Sequence, residues 1–153
     1  MELNTKEIFS TLGDTLVANI RDKIKSSGAN ATGKSAASLR HTETDTRFTL
    51  FGDKAFSYIE VGRGAGGMPP IDNIKEWIKA KGIVIGEGQT LSGLAYGIAK
   101  KISQQGTQLY ANKTYRDIYT EESAKFLIDL KKAIGDNIRI KTSNEITRTI
   151  KLK

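Results

Sequence analysis

With 153 residues, 38% of them hydrophobic and 27% charged, the chain has the size and composition of one globular domain, not of a disordered, fibrous or membrane-spanning protein. It has no cysteine and one histidine, His41, which excludes disulfides, thiolate catalysis and the usual cysteine-built zinc sites. The net charge of +7 admits nucleic acid, an anionic surface or an acidic protein as partner; the cations of residues 131–153 carry no interleaved aromatics for base stacking, so solvated helix faces and a basic tail are the simpler reading.

Residues 1–10 lack a basic start followed by an apolar block, so no signal peptide is expected and the chain should work in a cytoplasm. Asn4 and Glu7 have capping-box spacing, and Ile8, Leu12, Leu16, Ile20 and Ile24 then recur every fourth residue, which predicts an amphipathic helix ending near Gly28. Phe9 and Val17 widen its apolar stripe.

Residues 28–35 match the phosphate-loop pattern of glycine, four residues, glycine, lysine and serine. That motif works when a buried strand delivers the loop, backbone amides cradle phosphates, the lysine reaches the terminal phosphates and the hydroxyl holds magnesium. Here the polar end of a helix precedes Gly28, so a P-loop-like nucleotide-binding protein remains an alternative reading. The simpler one is a glycine linker and a short helix from Lys34 to Leu39.

From Arg40 to Phe51 the pattern changes to period two, with Phe48 and Leu50 on one face and Thr49 and Phe51 on the other. Two antiparallel strands are predicted, turning at Thr44-Asp45 and closed by Gly52-Asp53. His41 falls on the polar first strand as a surface or hydrogen-bonded residue.

Residues 56–77 are the stretch around which the chain is organised. A short apolar run containing Glu60, read as a short helix, enters the glycine loop 62–67; Met68, Pro69 and Pro70 stop the loop, and a helix carrying Ile71, Ile74, Trp77 and Ile78 leaves it for Gly82. The loop is read as a joint or contact loop, with Arg63 available for a partner's acid or a phosphate. Trp77 is expected as a core anchor.

After Ile83, Val84 and Ile85 and a Gly-Glu-Gly turn, Thr90 caps a helix with Leu91, Leu94, Ala95, Ile98, Ala99 and Ile102 on one face, stopped at Gly106. Tyr110, Tyr115 and Tyr119 follow, as a contact surface between subunits or as a satellite core. Thr120 then caps a helix through Phe126, Leu127, Leu130 and Ile134 to Gly135. The alternation of Ile138 and Ile140, a Ser143-Asn144 turn, and Ile146 and Ile150 predict a C-terminal β-hairpin or arm over 136–153.

The leading helix, the Thr-Gly-Lys-Ser-Ala-Ala-Ser-Leu segment, the strand pair ending Phe-Thr-Leu-Phe-Gly and the run Ala-Phe-Ser-Tyr-Ile-Glu-Val-Gly-Arg-Gly resemble the small neck and tail-completion proteins of tailed bacteriophages. Thr32, Gly33 and Leu39 approximate one element of that family, and Tyr58, Glu60, Gly62 and Pro69 another. The likeness runs to about Gly106. It implies a non-enzymatic virion protein, without cofactor or metal, made in the host bacterial cytoplasm and assembled as a homo-oligomeric ring. Its neighbours would be a portal-side or head-closure protein and a tail-side protein, with non-specific contact to DNA and no membrane.

The expectation is therefore an α+β fold: a small antiparallel sheet packed against several amphipathic helices in one domain over 1–135, followed by a C-terminal hairpin or extended tail. The candidate interface is Arg63, Gly64, Gly66 and Gly67 in the loop, Tyr110, Tyr115 and Tyr119 after it, and Ile146 and Ile150 in the tail. The other alternative is a basic nucleic-acid-binding module.

Overall fold

The fourfold recurrence near the start becomes one helix, α1 (Thr5–Ser26), with Phe9, Gly13, Leu16, Val17, Ile20 and Ile24 buried along one side. The computed structural model describes residues 5–29 and 31–151, so the Asn4 half of the expected capping box lies outside the described residues. Gly28 leaves the helix at φ 69°, a left-handed conformation that suits glycine. A short helix, α2 (Lys34–Ser38), then leads into strands β1 (Arg40–Glu43) and β2 (Phe48–Phe51). They pair antiparallel, Arg40 opposite Phe51 and Glu43 opposite Phe48, as the period-two pattern predicts.

Beyond the sheet come α3 (Phe56–Ile59), α4 (Ile71–Ala80), α5 (Leu91–Gln105), α6 (Gln108–Ala111) and α7 (Thr120–Lys151). The architecture is α+β, a two-stranded antiparallel sheet with several helices. The main core gathers the buried side of α1 with Ala36, Leu39, Ile118 and Phe126. Phe48 reaches from β2 into its middle, its ring centroid 6.1 Å from that of Phe9, 5.4 Å from His41 and 4.6 Å from Phe126. Ile20, Ile24, Leu39 and Ile118 are fully enclosed, each contributing roughly 1.5–3 kcal/mol by leaving water.

Helices α4 and α5 form a second packing unit. Ile78 of α4 and Ala95 and Ala99 of α5 are buried but stand apart from the main cluster. The small residues of α5 let the two helices approach closely. Ile78 thereby takes the anchor position that Trp77 was expected to hold. Trp77 is 38% exposed and lines a cleft instead.

The larger correction concerns residues 136–151. They form no hairpin: α7 runs unbroken for 32 residues from Thr120, straight through Gly135. Around Gly135 the reason lies in packing against α1, which α7 meets antiparallel. Asn19 and Lys23 hold Glu122 at one end, while Ile8 and Leu12 border a groove with Ala133 and Asn137 at the other. Residues on both sides of Gly135 are thus held helical. That support outweighs the roughly 1 kcal/mol that a mid-helix glycine costs relative to alanine. Farther along, the hydroxyls of Thr142, Thr147 and Thr149 donate to the carbonyls four residues earlier, at 3.0, 2.9 and 2.9 Å. These β-branched residues are thereby accommodated on a helix.

Candidate functional site

The stretch 56–77 is where the parts of the fold are fastened together. Its entry is fixed by Asp53, whose carboxylate accepts from the Phe56 amide at 2.8 Å. At its centre Glu60 is buried. One carboxylate oxygen accepts from the amides of Ile118, Tyr119 and Thr120 at 3.2, 2.8 and 3.0 Å, and the other accepts the Thr120 hydroxyl. The Arg116 amide also donates to the Glu60 carbonyl at 3.0 Å. A carboxylate at this point satisfies the amides that lead into α7 and sits at the positive end of that helix. The single acid inside the apolar run is thus the anchor of the longest helix.

The glycine loop is stapled to the turn between α5 and α6. The Thr107 amide donates to the Arg63 carbonyl at 2.8 Å, the Arg63 amide donates to the Thr107 hydroxyl at 3.0 Å, and the Gly66 amide donates to the Ser103 carbonyl at 2.8 Å. Two glycines make this possible. A Cβ on Gly62 would stand 2.5 Å from the Thr107 hydroxyl oxygen and 2.7 Å from the Tyr110 amide nitrogen; one on Gly106 would stand 2.7 Å from the Arg63 carbonyl. Both have positive φ, 77° and 76°. The Arg63 guanidinium donates to the Gly67 carbonyl, closing the loop on itself.

The Thr-Gly-Lys-Ser segment is likewise engaged within the chain. Gly33 starts α2 at φ 76°, the Ser35 hydroxyl donates to Asp53 at 3.1 Å, and Lys34 is paired with Glu76 of α4. It follows α1 and no strand delivers it. Its lysine bridges the two packing units. His41 is half-buried, one ring nitrogen 3.1 Å from Asp14 and the other 3.0 Å from Glu43. Among the described residues, no group of three His, Cys, Asp or Glu side chains could hold a metal ion.

The predicted interface residues divide between core and surface. Tyr119 packs its ring on Phe56 at 5.1 Å, which makes it satellite core; burial first, and the Glu60 carboxylate second, push its phenol above the usual range. Tyr110 lies against Gly62 and Gly64 with about half its surface exposed, and Tyr115 is exposed. Gly66 and Gly67 are exposed, whereas Arg63 and Gly64 are half-buried. Ile146 and Ile150 are exposed on α7.

Two surfaces escaped the sequence reading. One is a groove of about 490 Å³ between the body and the α4–α5 pair, walled by Ile59, Trp77, Ile98, Ile102 and Leu109, with Arg63, Lys101 and Arg116 also lining it. The other is the tip of the α4–α5 pair, where Val84 is 89% exposed. The groove arises where chain segments some 40 residues apart meet, and no local pattern marks it. The tip was legible as an apolar triplet between glycines, though not its exposure.

No family model, curated protein or solved structure matches the chain. Among the described residues, no helix is long and apolar enough to cross a membrane.

Proposed function

We propose that the chain is a non-enzymatic structural subunit of a tailed-phage neck or tail, used in head–tail joining or tail completion and assembled as a homo-oligomeric ring. The observation that carries this reading is the set of isoleucines that α7 leaves exposed. Ile128, Ile138, Ile140, Ile146 and Ile150 are all largely exposed on it, in addition to the residues it buries against α1. Ile146 and Ile150 lie one turn apart on the same side of the helix, and an exposed apolar pair of this kind is suited to contact with another protein.

Most of the residues behind the phage-protein likeness support the same reading by their engagements, Thr32 and Tyr58 being exposed. Leu39, Glu60, Gly62 and Pro69 are buried, and Gly33 starts a helix. They serve as fasteners of the framework, which leaves activity to surfaces. Ring contacts would then come from α7 and the exposed tyrosines, with portal-side and tail-side proteins above and below. The cations of the α7 arm would meet DNA without reading its sequence. Purified protein imaged by negative-stain electron microscopy and weighed by sedimentation should give closed rings of one copy number. A monomer at every concentration tested would sink the reading.

A further inference from the structure

The groove between the body and the α4–α5 pair combines apolar walls with one sign of charge. Ile59, Trp77, Ile102 and Leu109 line it, Arg63, Lys101 and Arg116 are its only charged lining residues, and no acid is among them. None of these three cations makes an ion pair among the described residues. At about 490 Å³ it has the size of a ligand pocket, within the range of about 300–1,000 Å³. Its occupant should present aliphatic side chains together with a carboxylate.

The tip of the same α4–α5 pair has that chemistry. Residues 81–90 are all exposed, and Ile83, Val84 and Ile85 stand there side by side. Between Lys81 and Lys100 the only charged residue is Glu87, in a chain of net charge +7. The tip cannot fill its own groove. It joins α4 to the start of α5 at Leu91, whereas the groove is lined by the far end of α5, at Ile102 and Gly106. Eleven residues of helix separate Leu91 from Ile102, about 16 Å.

We infer that the α4–α5 tip of one copy seats in the cationic groove of the next, with Ile83, Val84 and Ile85 against the apolar walls and Glu87 facing Lys101 and Arg116. The contact uses two different surfaces and is therefore head-to-tail, the kind that closes into a ring when the rotation per copy permits. It rests on the ring reading and specifies one of its interfaces.

Two substitutions at exposed positions test it, Val84→Asp on the tip and Lys101→Glu in the groove. Each should leave the thermal midpoint of the subunit nearly unchanged and weaken self-association about tenfold or more by sedimentation. Mixed, the two should form a 1:1 dimer, because one intact tip and one intact groove remain. Adding Glu87→Lys to Lys101→Glu should restore association by exchanging the charges. Rings that persist in both variants would overturn this contact while leaving the ring reading in place. Rings lost on Lys101→Glu with no dimer on mixing would give the groove to another occupant and also overturn it. A wild-type chain that never associates would remove both.

Discussion

Glu60 shows how one side chain can hold a fold together at a distance. Its carboxylate satisfies three amides and a hydroxyl at the head of α7, so Glu60→Ala would leave several buried donors without a partner. The expected cost is about 2–4 kcal/mol, which should lower the midpoint of thermal unfolding by roughly 5–15 °C. Calorimetry checks it, and a midpoint within 2 °C of wild type would show that water replaces the carboxylate. The residue was legible as an acid in an apolar run, but its partners lie 58–60 positions away and only the fold brings them near. A second cluster makes stability depend on pH. Hydrogen bonds from Lys125 and then Lys23 hold the Glu121 carboxyl down at about 2. For Glu122, burial pushes its pKa up, but hydrogen bonds from Lys125, Lys23 and Asn19 outweigh it, and the net shift is downward. A carboxylate with a lowered folded-state pKa stabilises above its unfolded value and loses that contribution as pH falls through the folded one. Thermal midpoints should therefore decline from about pH 4.5 toward about pH 2, and the double variant Lys23→Gln, Lys125→Gln should show a shallower decline in the same titration. An identical slope would place the acid sensitivity elsewhere.

Helix α1 was read from its fourfold stripe, and that stripe concealed the position that docks the sheet. Gly13 is buried beneath the β1–β2 pair; a Cβ there would stand 2.5 Å from Phe48 and 2.9 Å from His41. In an exposed helix interior Gly→Ala gains about 0.5–1 kcal/mol. Gly13→Ala should instead destabilise by about 1–3 kcal/mol, because the Phe48 ring must leave its place between Phe9 and Phe126. Chemical denaturation gives the sign directly, and a stabilised variant would mean that the ring shifts at no cost. The elements with strong local signals, α5 between Thr90 and Gly106 and the strand pair, were legible because their caps, stops and period are written within a few residues. The hairpin expectation for the C-terminal segment fails for the converse reason. Ile138 and Ile140 alternate like a strand, while the turn just before them is held helical by Ala133 and Asn137 beside Ile8 and Leu12, more than 100 residues earlier in the chain. The groove was invisible for the same reason, as its walls come from α3, α4, α5 and α6.

At the scale of the molecule, α7 is about 48 Å long by its 32 residues, and only its first half belongs to the core. Phe126 is buried and Leu130, Ala133, Ile134 and Asn137 are partly covered, whereas from Thr142 through Ile150 every side chain is exposed. Stability and assembly should thus be separable along one helix. A chain ending at Lys141 keeps the Glu60 anchor, the Glu122 cluster and all of the main core, so its thermal midpoint should stay within about 3 °C of the full-length protein, since surface changes away from such features fall within about ±0.5 kcal/mol. The same chain lacks Ile146 and Ile150. If α7 supplies ring contacts, sedimentation should show weaker self-association, and the full-length double variant Ile146→Glu, Ile150→Glu should reproduce the loss with the helix retained by circular dichroism. Rings that survive both changes would move the contact off the arm, leaving the tip and groove of α4 and α5 to close the ring without it. A large fall in midpoint on truncation would instead mean that the arm folds back to stabilise its own subunit, contrary to its exposure along residues 142–150.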